Sequence, residues 1–191
     1  MFERHSYKDA NLYMPAKMRN ARERIIKCGE AEFMKNGTSF SISRLMASCG
    51  VATGTFYSYF HSKDELILQL VDDDWDRIIT EIDGLVGSSM PRLKKNKFIY
   101  DRIEAFVTKY RFARMKMRGP REYFIEHQDS AFNKMADKVE EVIKDDIDSG
   151  RAKINIPPAK AARLLVGMFV LVSKDPKLNF MDMYNFIESR E

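Results

Sequence analysis

Three features of this 191-residue chain predict an all-α fold. Apolar residues recur at three- and four-residue intervals along most of its length. No stretch pairs the apolar and polar alternation of a half-buried strand with hairpin chemistry. Breaks such as Asn36-Gly37, Gly119-Pro120 and Pro157-Pro158 separate one periodic segment from the next.

Taken in order, the first helix runs from about Pro15 or Ala21 to Asn36, with Ile26, Gly29 and Phe33 on one face and Gly37 as its stop. Ser41 caps a short second helix carrying Ile42, Leu45, Met46 and Cys49 at i, i+3, i+4 and i+7, and Gly50 ends it. A tight turn around Cys49 to Ala52 leads into a third short helix, with Phe56 and Phe60 one turn apart. Two short helices joined through a glycine describe a helix-turn-helix. Ser62-Lys63-Asp64-Glu65 is a capping box that opens a long helix, whose Ile67, Leu70, Val71, Ile78, Ile82 and Leu85 keep one stripe apolar to about Val86. Further helices are expected at roughly 95–117, 120–148, 157–173 and 177–189. The domains divide as 1–63, an N-terminal arm and helix-turn-helix, and 64–191, a helical remainder.

Charge is distributed unevenly. Residues 1–63 hold ten basic and five acidic side chains, a net of +5, against −1 for the rest, so a polyanionic partner would meet the first third. The cluster Arg92, Lys94, Lys95 and Lys97 reads as a solvated loop. Two cysteines, Cys28 and Cys49, are too few for a secreted disulfide framework or a metal site, and both fall on helical core faces; a reducing cytoplasm is expected. No signal-peptide core precedes the first helix, and Ala161 to Val172, interrupted by Arg163, is too short for a membrane span, which needs about 20 residues.

The most informative stretch is Gly50 to Leu66, GVATGTFYSYFHSKDEL. On a helix beginning near Ala52, Val51, Phe56 and Phe60 face inward, while Thr53, Thr55, Tyr57, Ser58 and Tyr59 lie wholly or partly outside. Hydroxyl-rich surfaces with almost no acid suit phosphates and base edges, and Gly54 permits close approach. Together with Arg22, Ile25-Ile26, Phe33, Gly37, Ser41-Ile42, Leu45, Gly50-Val51, Gly54-Thr55-Phe56-Tyr57, Tyr59-Phe60, Lys63 and Leu66, this pattern resembles the tetracycline-repressor (TetR) family of bacterial transcriptional regulators. The resemblance implies that Thr53, Gly54 and Thr55 open a recognition helix in the major groove. It makes Tyr57 and Tyr59 phosphate contacts, with Ser58 beside them. Lys63 would hold a phosphate, and Ser41 and Arg44 would meet backbone or bases. Ala52 departs from the usual capping Ser or Thr, Thr53 from a longer polar side chain, and Gly29 from an alanine, the last at a helix cost of about 1 kcal/mol.

For residues 64–191 the resemblance implies ligand binding and dimerisation. Ala161 to Val172 is apolar nearly all round and so needs cover on every side. With Phe180, Met183, Tyr184 and Ile187 it suggests a two-fold four-helix interface using Leu164, Leu165, Met168, Phe169, Val172, Met183, Tyr184 and Ile187. Trp75, Phe106, Tyr110, Tyr123, Phe124 and Met168 are candidate ligand contacts that could equally be core.

The expected protein is a homodimeric repressor that binds a double-stranded operator and is released by an unidentified small molecule, with no cofactor, metal or membrane partner. Two alternatives remain: a DNA-binding regulator without an inducer, and a helical small-molecule-binding protein or enzyme. The second has little catalytic material, since the histidines are only His5, His61 and His127 and no Ser-His-acid set or phosphate loop is visible.

Overall fold

Helices form where the apolar spacing places them, with informative exceptions. A computed structural model describes residues 16–111, 113 and 121–188, and among these there is no strand. The elements are α1 (Ala16–Asn36), a 3-10 turn (Gly37–Ser39), α2 (Ile42–Cys49), α3 (Thr53–Phe56), α4 (Lys63–Asp83), α5 (Arg92–Tyr110), α6 (Arg121–Asp148), α7 (Pro158–Lys174) and α8 (Phe180–Glu188). They divide into two compact units, one through Val71 and the other from Asp72. No described helix is long and apolar enough to cross a membrane.

In the first unit the inward face of α1 is Ile25, Gly29 and Phe33, one residue back from the expected start, with Ile26 only half-buried. Gly29 is more than a propensity cost. A Cβ there would lie 2.9 Å from Leu66 Cδ2, so the glycine lets α4 pack directly on α1. Leu45, Met46, Phe56, Phe60 and Ile67 complete this core, all essentially inaccessible.

The second unit packs around Ile82, Ile99, Ile103, Met135, Val139, Val166 and Phe169. Its α8 starts at Phe180, later than the spacing suggests, because Asn179 is the cap. The Asn179 Oδ1 accepts from the Met181 and Asp182 amides at 2.8 and 3.2 Å, and Asp182 Oδ2 accepts back from the Asn179 amide at 2.8 Å.

The basic cluster expected in a solvated loop lies on α5, and one member is interior. Lys95 is fully buried, its Nζ 2.7 Å from Asp146 Oδ1 and 3.4 Å from Asp145 Oδ2. Arg151 closes the group, donating from Nε to Asp146 at 3.0 Å and from its terminal nitrogen to Asp145 at 2.5 Å. The carbonyl of Asp146 also accepts from the amides of Arg151 and Ala152. An ammonium can be buried only when paired and hydrogen-bonded, and here the partners come from α6 and the segment after it, some fifty positions away.

Candidate nucleic-acid interface

The reading surface begins with a capped helix and a glycine. Ser41 Oγ accepts from the Arg44 amide at 3.2 Å, which starts α2. Gly50 ends α2 with φ 63°, a left-handed conformation, and its amide returns to the Ala47 and Met46 carbonyls. The chain then needs only Val51 and Ala52 to enter α3.

The third helix is shorter than expected, ending at Phe56. Ala52 offers no side-chain oxygen to cap it, and Thr53, Gly54 and Thr55 are all weak helix formers. Turns carry the chain on, with the Tyr59 and Phe60 amides both donating to the Phe56 carbonyl at 3.0 Å. Phe56 and Phe60 nevertheless pack inward as their spacing suggests, ring centroids 5.5 Å apart.

This geometry brings most of the expected DNA-contact residues onto one short segment. Thr53, Gly54, Tyr57 and Ser58 are exposed, Tyr57 by 58%, while Thr55 and Tyr59 are half-buried. The space where a Cβ on Gly54 would sit is open to 4 Å. Arg44 is exposed and 3.8 Å from Glu32. No carboxylate occurs from Phe33 to Lys63, and the flanking Glu32 and Glu65 are paired with Arg44 and His61.

Lys63 has partners within the fold. Its Nζ donates to the carbonyls of Thr38 at 2.7 Å and Phe40 at 3.1 Å and sits 5.4 Å from the Phe40 ring centroid. It holds the turn between α1 and α2. The cap of α4 deviates: Glu65 donates its amide to Ser62 Oγ at 3.1 Å, but its carboxylate accepts from the His61 amide at 2.5 Å, one residue further back than a capping box requires.

Arg24 is the residue that sequence reasoning missed. Its guanidinium donates to the Cys49 carbonyl at 2.5 Å, fixing the end of α2 to α1. No local pattern marks an arginine whose partner lies 25 positions away.

In the second unit, Trp75, Phe106 and Tyr110 form a packed column with centroid separations of 4.6 and 4.9 Å. Trp75 Nε1 donates to the Ala131 carbonyl at 2.9 Å, and the Tyr110 hydroxyl donates to Asp74 at 2.8 Å, so these candidate ligand contacts already have partners within the fold. The side chains of Tyr123 and Phe124 lie outside the described residues. Met168 instead lines a cavity of about 230 Å³ with Ile99, Val142, Leu165 and Ile187, to which Arg92, Asn96 and Asp146 add polar groups. Of the expected interface residues, Phe169, Val172 and Met183 are buried in the chain's own core, and Leu165, Met168, Tyr184 and Ile187 pack against that core. Leu164 stays 60% exposed, joined by Leu171 at 63% and Phe186 at 56%, neither of which the spacing had singled out.

Residues 25–70 match the family model for bacterial regulatory proteins, tetR family. A search of curated proteins finds no match. Among solved structures, a TetR/AcrR-family transcriptional regulator from Thermobifida fusca is 14% identical, covering 84% of this chain and 89% of its own, with a TM-score of 0.62. GusR of Salmonella enterica is 19% identical over 82% and 83%, with a TM-score of 0.63. FadR of Bacillus subtilis, solved with stearoyl-CoA, is 14% identical over 80% and 84%, with a TM-score of 0.59. At these identities the likeness is one of fold.

Proposed function

We propose that this chain, with its tetR-family segment at residues 25–70 and the fold of TetR/AcrR regulators over most of its length, is a homodimeric repressor released from its operator by an apolar small molecule. The observation that carries the reading is the exposed Thr53-Gly54-Thr55 and Tyr57-Ser58 surface on a unit that matches a DNA-binding family. Thr and Ser hydroxyls bond phosphates and base edges, and Thr methyls pack on thymine.

The dimer reading is supported by the apolar face that the chain leaves exposed. Leu164 and Leu171 are two turns apart on α7, with Gly167 between them where no side chain would obstruct a neighbouring helix. A second copy related by two-fold symmetry would cover this stripe with itself. In such a dimer the two reading surfaces must match half-sites about 34–36 Å apart or a multiple of that turn.

The cavity beside Met168 is the proposed effector site. Its volume lies below the usual range of about 300–1,000 Å³, which favours a small apolar ligand. The fold holds stearoyl-CoA in B. subtilis FadR and triclosan in SmeT, both with large apolar portions. α4, which runs unbroken from Lys63 to Asp83, does not line the cavity, but its Ile78 and Ile82 share a core with Ile99, which does, so a ligand there would act on α4 through that core. The ligand weakens DNA binding only by its differential affinity for the two arrangements.

A mobility shift across a salt series tests the reading, comparing duplex from just upstream of the protein's own gene with random duplex. Preference for the upstream duplex that survives raised salt supports it. Binding that is indifferent to sequence and fades with salt counts against it, since phosphate contacts alone are lost steeply as salt rises.

A further inference from the structure

We propose that Cys28 and Cys49 are a thiol pair that a hydroperoxide converts into a disulfide, and that this bond lowers the affinity of the helix-turn-helix for DNA. Cys28 is half-buried on α1; Cys49 is buried as the last residue of α2; neither is in a disulfide. Cys49 Sγ lies 3.9 Å from the carbonyl oxygen of Arg24. In an α-helix that oxygen accepts from the amide four residues on, which here is Cys28, so the Cys49 sulfur sits beside the Cys28 backbone. The nearby Cys28 thiol is one of the causes that raise the pKa of the Cys49 thiol.

The two cysteines are not equivalent. Burial, reinforced by the contact with Cys28, pushes the Cys49 thiol up to about 12, so it is held protonated and away from solvent. Cys28, the more accessible, meets the oxidant first. Its thiolate attacks one peroxide oxygen; the O–O bond breaks, an alcohol or water leaves, and a sulfenic acid remains. Cys49 then attacks that sulfur as its proton passes to the departing hydroxide, so the S–S bond forms, the S–O bond breaks and water leaves. Two thiols have together lost two electrons and two protons, and the peroxide has gained them.

The bond would act on the reader through its anchor. To form the bond the two sulfurs must close to about 2.05 Å. Cys49 ends α2, its carbonyl is clamped by Arg24, and Thr53 follows after three residues. Drawing this joint toward α1 displaces the turn that aims α3. Hydrogen bonds to DNA have a distance window of only about 0.5 Å, so a shift of that size breaks contacts.

The test uses the full chain, reduced, freed of reductant and treated with hydrogen peroxide. Thiol titration, intact mass and peptide mapping should show both thiols lost, a mass lower by about 2 Da and a Cys28–Cys49 cross-link within one chain. Operator affinity should fall about tenfold or more, the loss of one good contact, and return with dithiothreitol. C28S, altered at the less buried position, should fold, form no such cross-link and keep its DNA affinity in peroxide. Intact thiols, oxygen adducts mapped to Cys28 or Cys49 in place of the cross-link, cross-links between chains, or a cross-link that leaves DNA affinity unchanged would each overturn the proposal. The affinity arm rests on the DNA-binding reading, whereas thiol chemistry does not. A reduced protein that binds no DNA would remove that reading, and with it the switch, while mapping would still establish or exclude the pair.

Discussion

Between Ser41 and Ser62 the exposed side chains are mostly hydroxyls, with two alanines, an arginine, a histidine and a phenol, whereas α7 and α8 expose Leu164, Leu171, Met181 and Phe186. The two surfaces are built differently. On the first, short helices turn their few apolar residues inward and leave hydroxyls outside; on the second, the helices carry more apolar residues than one core can absorb. The difference teaches that an exposed surface is best read against its own unit's core. Polar residues clustered without acid point to an anionic partner, and apolar residues left over point to a second protein surface.

The sharpest break of the comparison would come within the second unit, where the Lys95–Asp145–Asp146–Arg151 group ties α5 to the end of α6. Asp146→Ala leaves a fully buried ammonium short of its nearest partner, and should cost about 3–5 kcal/mol in urea unfolding followed by circular dichroism. Acid should act on the same group. Burial of Asp145 opposes its ionisation, but the Gly87 amide, Lys95 and Arg151 outweigh it and hold the carboxyl below its ordinary value of 3.8. A depressed folded value means the stabilisation is complete above 3.8 and fades as pH falls through the lower folded value, which a thermal melt series in acid would record.

Next in size is the apolar stripe. Leu171→Glu should weaken self-association at least about 30-fold in sedimentation equilibrium, the effect of a hot-spot residue, with the monomer still folded because the side chain is largely outside the core. Tyr57→Ala tests the polar surface in the same way. It should cost about 1–2 kcal/mol of operator affinity with the dimer intact, read by fluorescence anisotropy. Unchanged affinity would remove Tyr57 from the interface. The smallest effect belongs to the cap of α4, where Ser62→Ala should lose about 1 kcal/mol of stability in urea.

Legibility in the sequence followed distance along the chain. The caps at Ser41 and Ser62, the glycine stop at Gly50 and the inward pair Phe56 and Phe60 depend on neighbours within four positions, and all could be read. Gly29, Arg24 and Lys95 could not. Their partners, Leu66, Cys49 and Asp146, become neighbours only after folding. Lys63 falls between these cases: its place at the start of α4 was clear, but the carbonyls of Thr38 and Phe40 that claim it come from an earlier turn. The candidate site was legible as a segment and less so in each side chain's role. On α7 the composition announced surplus apolar surface, but only packing distinguished Leu164 and Leu171 from Phe169 and Val172.

Trp75 is the chain's single tryptophan, and it sits on α4 against Phe106 with its indole hydrogen-bonded to the Ala131 carbonyl. Every photon of indole emission therefore comes from the helix proposed to relay the effector. Sheltered from water, the ring emits toward the blue; a displacement of α4 that breaks the Ala131 bond would admit water and shift the emission to the red. The single indole would thus serve as an intrinsic optical gauge of the proposed switching, usable without any attached dye.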